Sequence, residues 1–188
     1  MLKASTADQW VAVVLDNFDE FLCDHAANER KASAVAMSMI AHYPDKPELL
    51  TEMLDLALEE LNHFRQVMKL ILARGVTPTP DEKDLYVNQL LKQVRKGSEV
   101  YFLDRLLSGA VIEARGAERF NLIARAHTDE SMRRFYDSLA KSEAGHHQLF
   151  LDLANVYFDK ESVQLRWQEW LSIEAEIMTS LPIRPRLH

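Results

Sequence analysis

Glu59-Glu60-Leu61-Asn62-His63-Phe64 and Ser142-Glu143-Ala144-Gly145-His146-His147 decide how this chain is read. Each stretch contains Glu-x-x-His, and residues three apart share one face of a helix. Each is also preceded by a further glutamate: Glu29 stands 31 residues before Glu60, and Glu113 stands 30 before Glu143. The surroundings are apolar at helical spacing. One row reads Met53, Leu56, Glu60, His63, Val67, Leu70, and another reads Tyr136, Leu139, Glu143, His146, Phe150, Leu153. In both rows the Glu and His occupy positions that a helix normally gives to apolar core residues. Leu106, Ala110, Ala117 and Phe120 flank Glu113, and Ala26, Ala32, Ser33 and Ala36 flank Glu29.

The helix boundaries bring these residues to a common depth. Pro44 ends a first long helix near His42, and a second starts at Asp45-Lys46-Pro47-Glu48, which reads as a capping box with Pro in the first turn. Glu29 and Glu60 then lie 13 and 14 residues from the same loop, roughly 20 Å along each helix. Glu113 and Glu143 lie at similar distances from a turn at Thr128. Four buried carboxylates at one level repel one another and lose hydration. Two divalent cations neutralise them. Carboxylates and imidazoles suit iron, and suit manganese also. One Glu from each of two helices plus Glu-x-x-His from each of the other two is the di-iron carboxylate pattern. The spacing therefore predicts a di-iron centre, two Fe ions held by Glu29, Glu60, His63, Glu113, Glu143 and His146.

The remaining punctuation completes the architecture. Thr6-Ala7-Asp8-Gln9 reads as a capping box for a short helix near 7–16, and Gly75 as the C-terminal cap of the second long helix. Thr79-Pro80-Asp81-Glu82 reads as the start of a connecting helix ending at Gly97, and Ser98 as the start of a helix to about 127. Thr128 or Asp129 opens another to about 158, and Asp159 caps a last one over roughly 160–178. The tail from Leu181 to His188, with two prolines, reads as irregular surface chain. The expected fold is all-α: a ferritin-like four-helix bundle with one long crossover connection, plus short N- and C-terminal helices, forming a single domain over residues 1–188.

Composition agrees. Apolar residues make up 47 % and charged residues 27 %, no Gly precedes Gly75, and no Pro lies between Pro80 and Pro182. Such stretches favour helix over a turn-rich β fold. No apolar run reaches the roughly 18 residues of a membrane span, and the N-terminus lacks a signal-peptide core. Cys23 is the single cysteine, which excludes a disulfide framework and any Cys-based metal site. A cytoplasmic location and no membrane partner are the resulting expectations. The net charge of −7 argues against a general nucleic-acid binder. Position matters more than the sum, however. Lys83, Lys92, Arg95 and Lys96 in the crossover, Arg184 and Arg186 in the tail, and Arg115, Arg119, Arg125, Arg133 and Arg134 are candidates for a phosphate-contacting surface. Ordinary solvated faces are the bland alternative.

Other candidates stand near the ligands. His147 competes with His146, and symmetry with His63 favours His146. His25, one turn before Glu29, is either an outer partner of the site or a structural histidine. Gly109 and Gly116 either leave room beside the metals or permit close helix packing. Tyr136 stands one heptad before Glu143.

The stretches His25-Ala26-Ala27-Asn28-Glu29-Arg30-Lys31-Ala32, Glu59 to Phe64, Ile112-Glu113-Ala114-Arg115 and Ser142 to His147 carry a closer likeness. On them the chain resembles, over nearly its whole length, the tRNA 2-methylthio-isopentenyl-adenosine hydroxylases, a bacterial family of non-haem di-iron monooxygenases. The resemblance implies hydroxylation of the isopentenyl group of a modified adenosine in tRNA, with O2 as co-substrate and the six residues above as iron ligands. No flavin, nicotinamide or iron–sulfur motif is visible, so electrons are expected from a separate electron-donor reductase. A ferroxidase or other iron-handling ferritin-like protein is the alternative in the same fold, and a metal-free interaction bundle is the alternative outside it. The oligomeric state is open at this point.

Overall fold

Polar caps and prolines divide the chain into seven helices and no strand, in a computed structural model that describes residues 1–188. In chain order they are α1 (Asp8–Asp16), α2 (Phe18–His42), α3 (Pro47–Ala73), α4 (Leu85–Leu91), α5 (Ser98–Ala126), α6 (Glu130–Tyr157) and α7 (Lys160–Ser180). Two compact units result, one of residues 12–82 with 184–187, the other of residues 1–11 and 83–183 with 188.

In the first unit α2 and α3 form an antiparallel hairpin. Its core is Phe21, Leu22, Ala26, Ala36 and Met39 against Leu49, Met53, Leu56, Val67 and Ile71. Ser33 Oγ donates to the Ala57 carbonyl at 2.8 Å and fixes the register between the helices. The buried row of α3 ends on Ile71 rather than the expected Leu70, because a 3.6-residue helix drifts off a strict heptad. Gly75 ends α3 as expected. Its φ is +70°, and the N–H groups of Gly75 and Val76 close on the carbonyls of Leu72 and Ile71. The capping box at Asp45 does not form. Helix α3 starts one residue later, after Lys46, with no side-chain cap, and the Asp45 carboxylate accepts from Lys46 Nζ at 3.0 Å. The tail segment 184–187 is irregular but pinned. Arg186 pairs with Glu20 at 2.7 Å and Glu82 at 3.2 Å, and the Leu187 N–H donates to Asp24 at 2.7 Å.

The second unit is built on the α5–α6 hairpin, with α4 and α7 packed against it. Asp129 and Asp159 cap α6 and α7 through the N–H groups of Ser131 and Ser162 at 2.7 and 2.9 Å. The crossover helix is shorter than expected at both ends. It starts at Leu85 because Asp84, not Thr79, supplies the cap, accepting from the Val87 N–H at 2.9 Å. It stops at Leu91 because Arg95 turns its N–H and guanidinium onto Asp104, at 2.8 to 3.0 Å. The expected cap at Thr6 is also absent: its N–H and hydroxyl donate to Glu118 at 2.8 and 2.7 Å, and its Oγ1 accepts from Arg115 and Arg119 at 3.2 and 3.3 Å rather than from a helix N–H.

Gly109 is a packing glycine. A Cβ there would lie 2.9 Å from the buried Phe150 ring. Gly109→Ala is expected to destabilise the protein by about 1–3 kcal/mol despite the better helix propensity of alanine, read as a lower melting temperature. Adding Phe150→Leu should restore part of the loss.

Candidate metal centre

In the α2–α3 hairpin the expected residues converge. Glu29 points in from α2, and Glu60 and His63 point in from α3; all three are buried. Each offers a ligand atom within 4.8 Å of the other two. His63 Nδ1 stands 3.5 Å from Glu60 Oε2 and 3.7 Å from Glu29 Oε2. His25, fully buried, places Nε2 2.6 Å from Glu29 Oε1. His25 is thus not partly exposed, and its ring fixes one oxygen of Glu29.

The α5–α6 hairpin repeats the arrangement. Glu113 comes from α5, half-buried, and Glu143 and His146 come buried from α6. Their ligand atoms again lie within 4.8 Å of one another, with His146 Nδ1 at 3.4 Å from Glu143 Oε2. His147 turns away: its Nδ1 donates to the Ala110 carbonyl at 2.8 Å and its ring lies against Trp167. Burial holds the His147 pKa below the ordinary histidine value in spite of that bond, so the ring stays neutral. Gly116 differs from Gly109, because a Cβ there would meet Glu143 Cγ only at 3.8 Å. Tyr136 is a buried ring packed against Phe120, 5.5 Å between centroids.

The donor set in each hairpin fits a metal ion. Two atoms bound to one ion at about 2.1 Å lie roughly 3 to 3.5 Å apart. The Glu–His separations of 3.4 and 3.5 Å match that edge and are longer than good hydrogen bonds. Two carboxylates and an imidazole in each triad are the donors that iron or manganese accepts, and no thiolate takes part.

The basic surface needs correction. Arg115 and Arg119 are buried. Arg115 pairs with the buried Glu174 at 2.7 Å, and Arg119 stacks on Trp10, 4.8 Å from the ring centre. Burial and the adjacent Arg115 bring the Arg119 pKa down to about 10. Arg95 and Arg186 are tied to Asp104 and to Glu20, respectively. Lys83, Lys92, Lys96, Arg125, Arg133 and Arg134 are exposed. The buried network does leave a signal in the sequence. In α7 the apolar row Val163, Trp167, Trp170, Leu171, Ile177 is interrupted by Glu174, the same kind of interruption that marked Glu60.

Two antiparallel hairpins joined by a long crossover, each holding a buried Glu/Glu-x-x-His set, define the ferritin-like carboxylate class. Within it, the chain belongs to the tRNA-(MS[2]IO[6]A)-hydroxylase (MiaE) family, whose sequence model matches residues 1–188. The tRNA 2-(methylsulfanyl)-N(6)-isopentenyladenosine(37) hydroxylase of Pseudomonas putida is 37 % identical over 187 residues, spanning 100 % of this chain and 91 % of that protein. The protein of the same name from Salmonella typhimurium is 36 % identical over 141 residues, which span 75 % of this chain and 52 % of that protein. Among solved structures, Protein 43 with aldehyde deformylating oxygenase activity from Synechococcus superposes with a TM-score of 0.94 at 36 % identity, covering 100 % of this chain and 94 % of that one.

Proposed function

We propose that this chain is a non-haem di-iron monooxygenase that hydroxylates the isopentenyl group of 2-methylthio-isopentenyl-adenosine in tRNA, with residues 1–188 acting as one domain. The observation that carries this reading is the full-length match to the hydroxylase family in a chain whose two hairpins each bury a Glu/Glu-x-x-His triad. Glu29, Glu60, His63, Glu113, Glu143 and His146 would hold the two ions. Bound iron supplies dioxygen activation and one-electron chemistry that no side chain offers. The overall balance is R–H + O2 + two electrons + two protons giving R–OH + H2O. The chain would contribute four carboxylates that offset the charge of the ions and one imidazole to each, and apolar neighbours such as Leu56, Val67, Leu139 and Phe150 keep water out. With no flavin, nicotinamide or iron–sulfur motif in the sequence, the electrons come from a separate reductase. No helix is long and apolar enough to cross a membrane, and a tRNA substrate fits a cytoplasmic setting. The exposed Lys83, Lys92, Lys96, Arg125, Arg133 and Arg134 are suited to phosphate contacts.

The test is incubation of the iron-loaded protein with tRNA bearing the isopentenylated base, O2 and a chemical reductant, followed by nucleoside mass spectrometry. The expected result is a gain of one oxygen on that nucleoside. No gain with iron fully bound overturns the reading. A second reading has a specific observation behind it, the likeness to the Synechococcus protein at 36 % identity, against 37 and 36 % for the two hydroxylases. Parallel incubation with a long-chain aldehyde distinguishes the two, since loss of a one-carbon unit from the aldehyde would favour deformylation.

His25→Ala is expected to weaken iron binding about 10–100-fold, the usual effect of losing a hydrogen bond that orients a metal ligand. Competition with a chelator measures this without reference to turnover, and His25→Gln should recover part of the affinity.

A further inference from the structure

The outward face of α3 carries Leu54, Leu58, Leu61, Arg65, Met68 and Leu72, spaced four, three, four, three and four residues apart. One flank of the row is solvent-facing at Asp55 and Lys69, and Leu58 and Leu72 are 65 % and 63 % exposed. A continuous apolar row of this kind on a soluble helix marks an interaction surface.

We propose that this face joins two copies of the chain, with the α3 helices antiparallel about a two-fold axis midway between Leu61 and Arg65. The spacing is the same read in either direction, so reversal sets Leu54 against Leu72 of the second copy, Leu58 against Met68, and Leu61 against the aliphatic stem of Arg65. The flanking charges make the same choice. Asp55 and Lys69 lie on one side of the row, one near each end. Antiparallel pairing brings Asp55 of each copy to Lys69 of the other, twice by symmetry. A parallel pair would instead set Asp55 level with Asp55 and Lys69 level with Lys69. A face that is acidic at one end and basic at the other is complementary to its own reversed copy rather than to a partner of one sign. The area bounds what the contact can bury. The row runs about 27 Å along the helix, and one helix face of that length buries roughly 1,000 Å² in total, at the low end for specific pairs. An interface of this size gives a weak, concentration-dependent dimer.

Sedimentation velocity on the full-length protein from about 1 to 300 µM is the test. The expected result is a reversible monomer–dimer equilibrium that Leu58→Glu abolishes without loss of helix content or iron binding. Asp55→Lys and Lys69→Asp should each weaken the dimer about tenfold, since each turns two attractive pairs into repulsive ones. An equimolar mixture of these two variants should regain it, because every cross-pair is then attractive. A monomer at all concentrations, a dimer indifferent to Leu58→Glu, or a mixture no more associated than its components would overturn the proposal. The first outcome would assign the face to a different protein.

Discussion

Glu60→Leu is expected to abolish hydroxylation, strip iron from the site and yet raise the melting temperature of the metal-free protein. Glu60 is 1 % exposed in the row Met53, Leu56, Val67, Ile71, at a position a helix normally gives to an apolar side chain. It lies within 4.8 Å of the Glu29 carboxylate, so the metal-free hairpin holds two acids side by side away from water. Two buried carboxylates this close repel each other and lose hydration, which costs free energy. Replacing buried charge by a well-packed apolar side chain commonly stabilises by about 1–4 kcal/mol. For a chain of this size, gains at the low end of that range raise the midpoint by several degrees, about 2–4 °C per kcal/mol. The order reverses when iron is added. The wild type gains stability through binding to its folded state, and the variant gains little. Activity should fall at least about 100-fold, since losing a ligand exceeds the loss of an outer hydrogen bond. Calorimetry with and without iron, alongside metal analysis, reads both halves. Undiminished iron content in Glu60→Leu would remove Glu60 from the ligand set, and a lower metal-free melting temperature would refute the electrostatic argument for the triad.

The triads are legible in the sequence because an interrupted apolar row is a local pattern. Glu60 and His63, like Glu143 and His146, stand where neighbours three and four residues away demand an apolar side chain. Caps were legible for the same reason where they depend only on adjacent N–H groups, as at Asp129 and Asp159, or on a positive φ, as at Gly75. They were misread where a side chain has a distant and stronger partner. Thr6 answers to Glu118, and Asp81 pairs with Arg30, 51 residues away. The burial of Arg115 and Arg119 is not legible locally, because a guanidinium suggests solvent unless the matching acid is known, and Glu174 lies 59 residues beyond Arg115.

That pair supports the largest stability effect. Arg115 and Glu174 are both fully buried. Arg115 Nε and Nη2 approach Glu174 Oε1 at 2.8 and 2.7 Å, and Nη2 also donates to the Ala4 carbonyl at 2.8 Å. The remaining donors reach Glu118 and the Thr6 hydroxyl, and Tyr86 adds its hydroxyl to the same Glu174 oxygen at 3.1 Å. Removing one partner leaves the other charge stranded. Arg115→Met or Glu174→Leu alone should cost about 3–5 kcal/mol, whereas Arg115→Met with Glu174→Leu should recover most of that loss, because an apolar pair of similar volume is often neutral. Chemical denaturation of the four proteins closes the cycle. Additive losses in the double variant would mean that each side chain acts through its other contacts instead. The tyrosine gives an independent handle through pH. Burial first, and then the Glu174 charge, pushes the Tyr86 pKa well above its ordinary value near 10. The unfolded chain then loses this proton above about pH 10 while the folded chain keeps it, so stability is full below that pH and falls as pH rises beyond it. Tyr86→Phe should lose about 1 kcal/mol at neutral pH and show a flatter alkaline decline. An alkaline limb as steep as the wild type's would show that another group, not Tyr86, controls it.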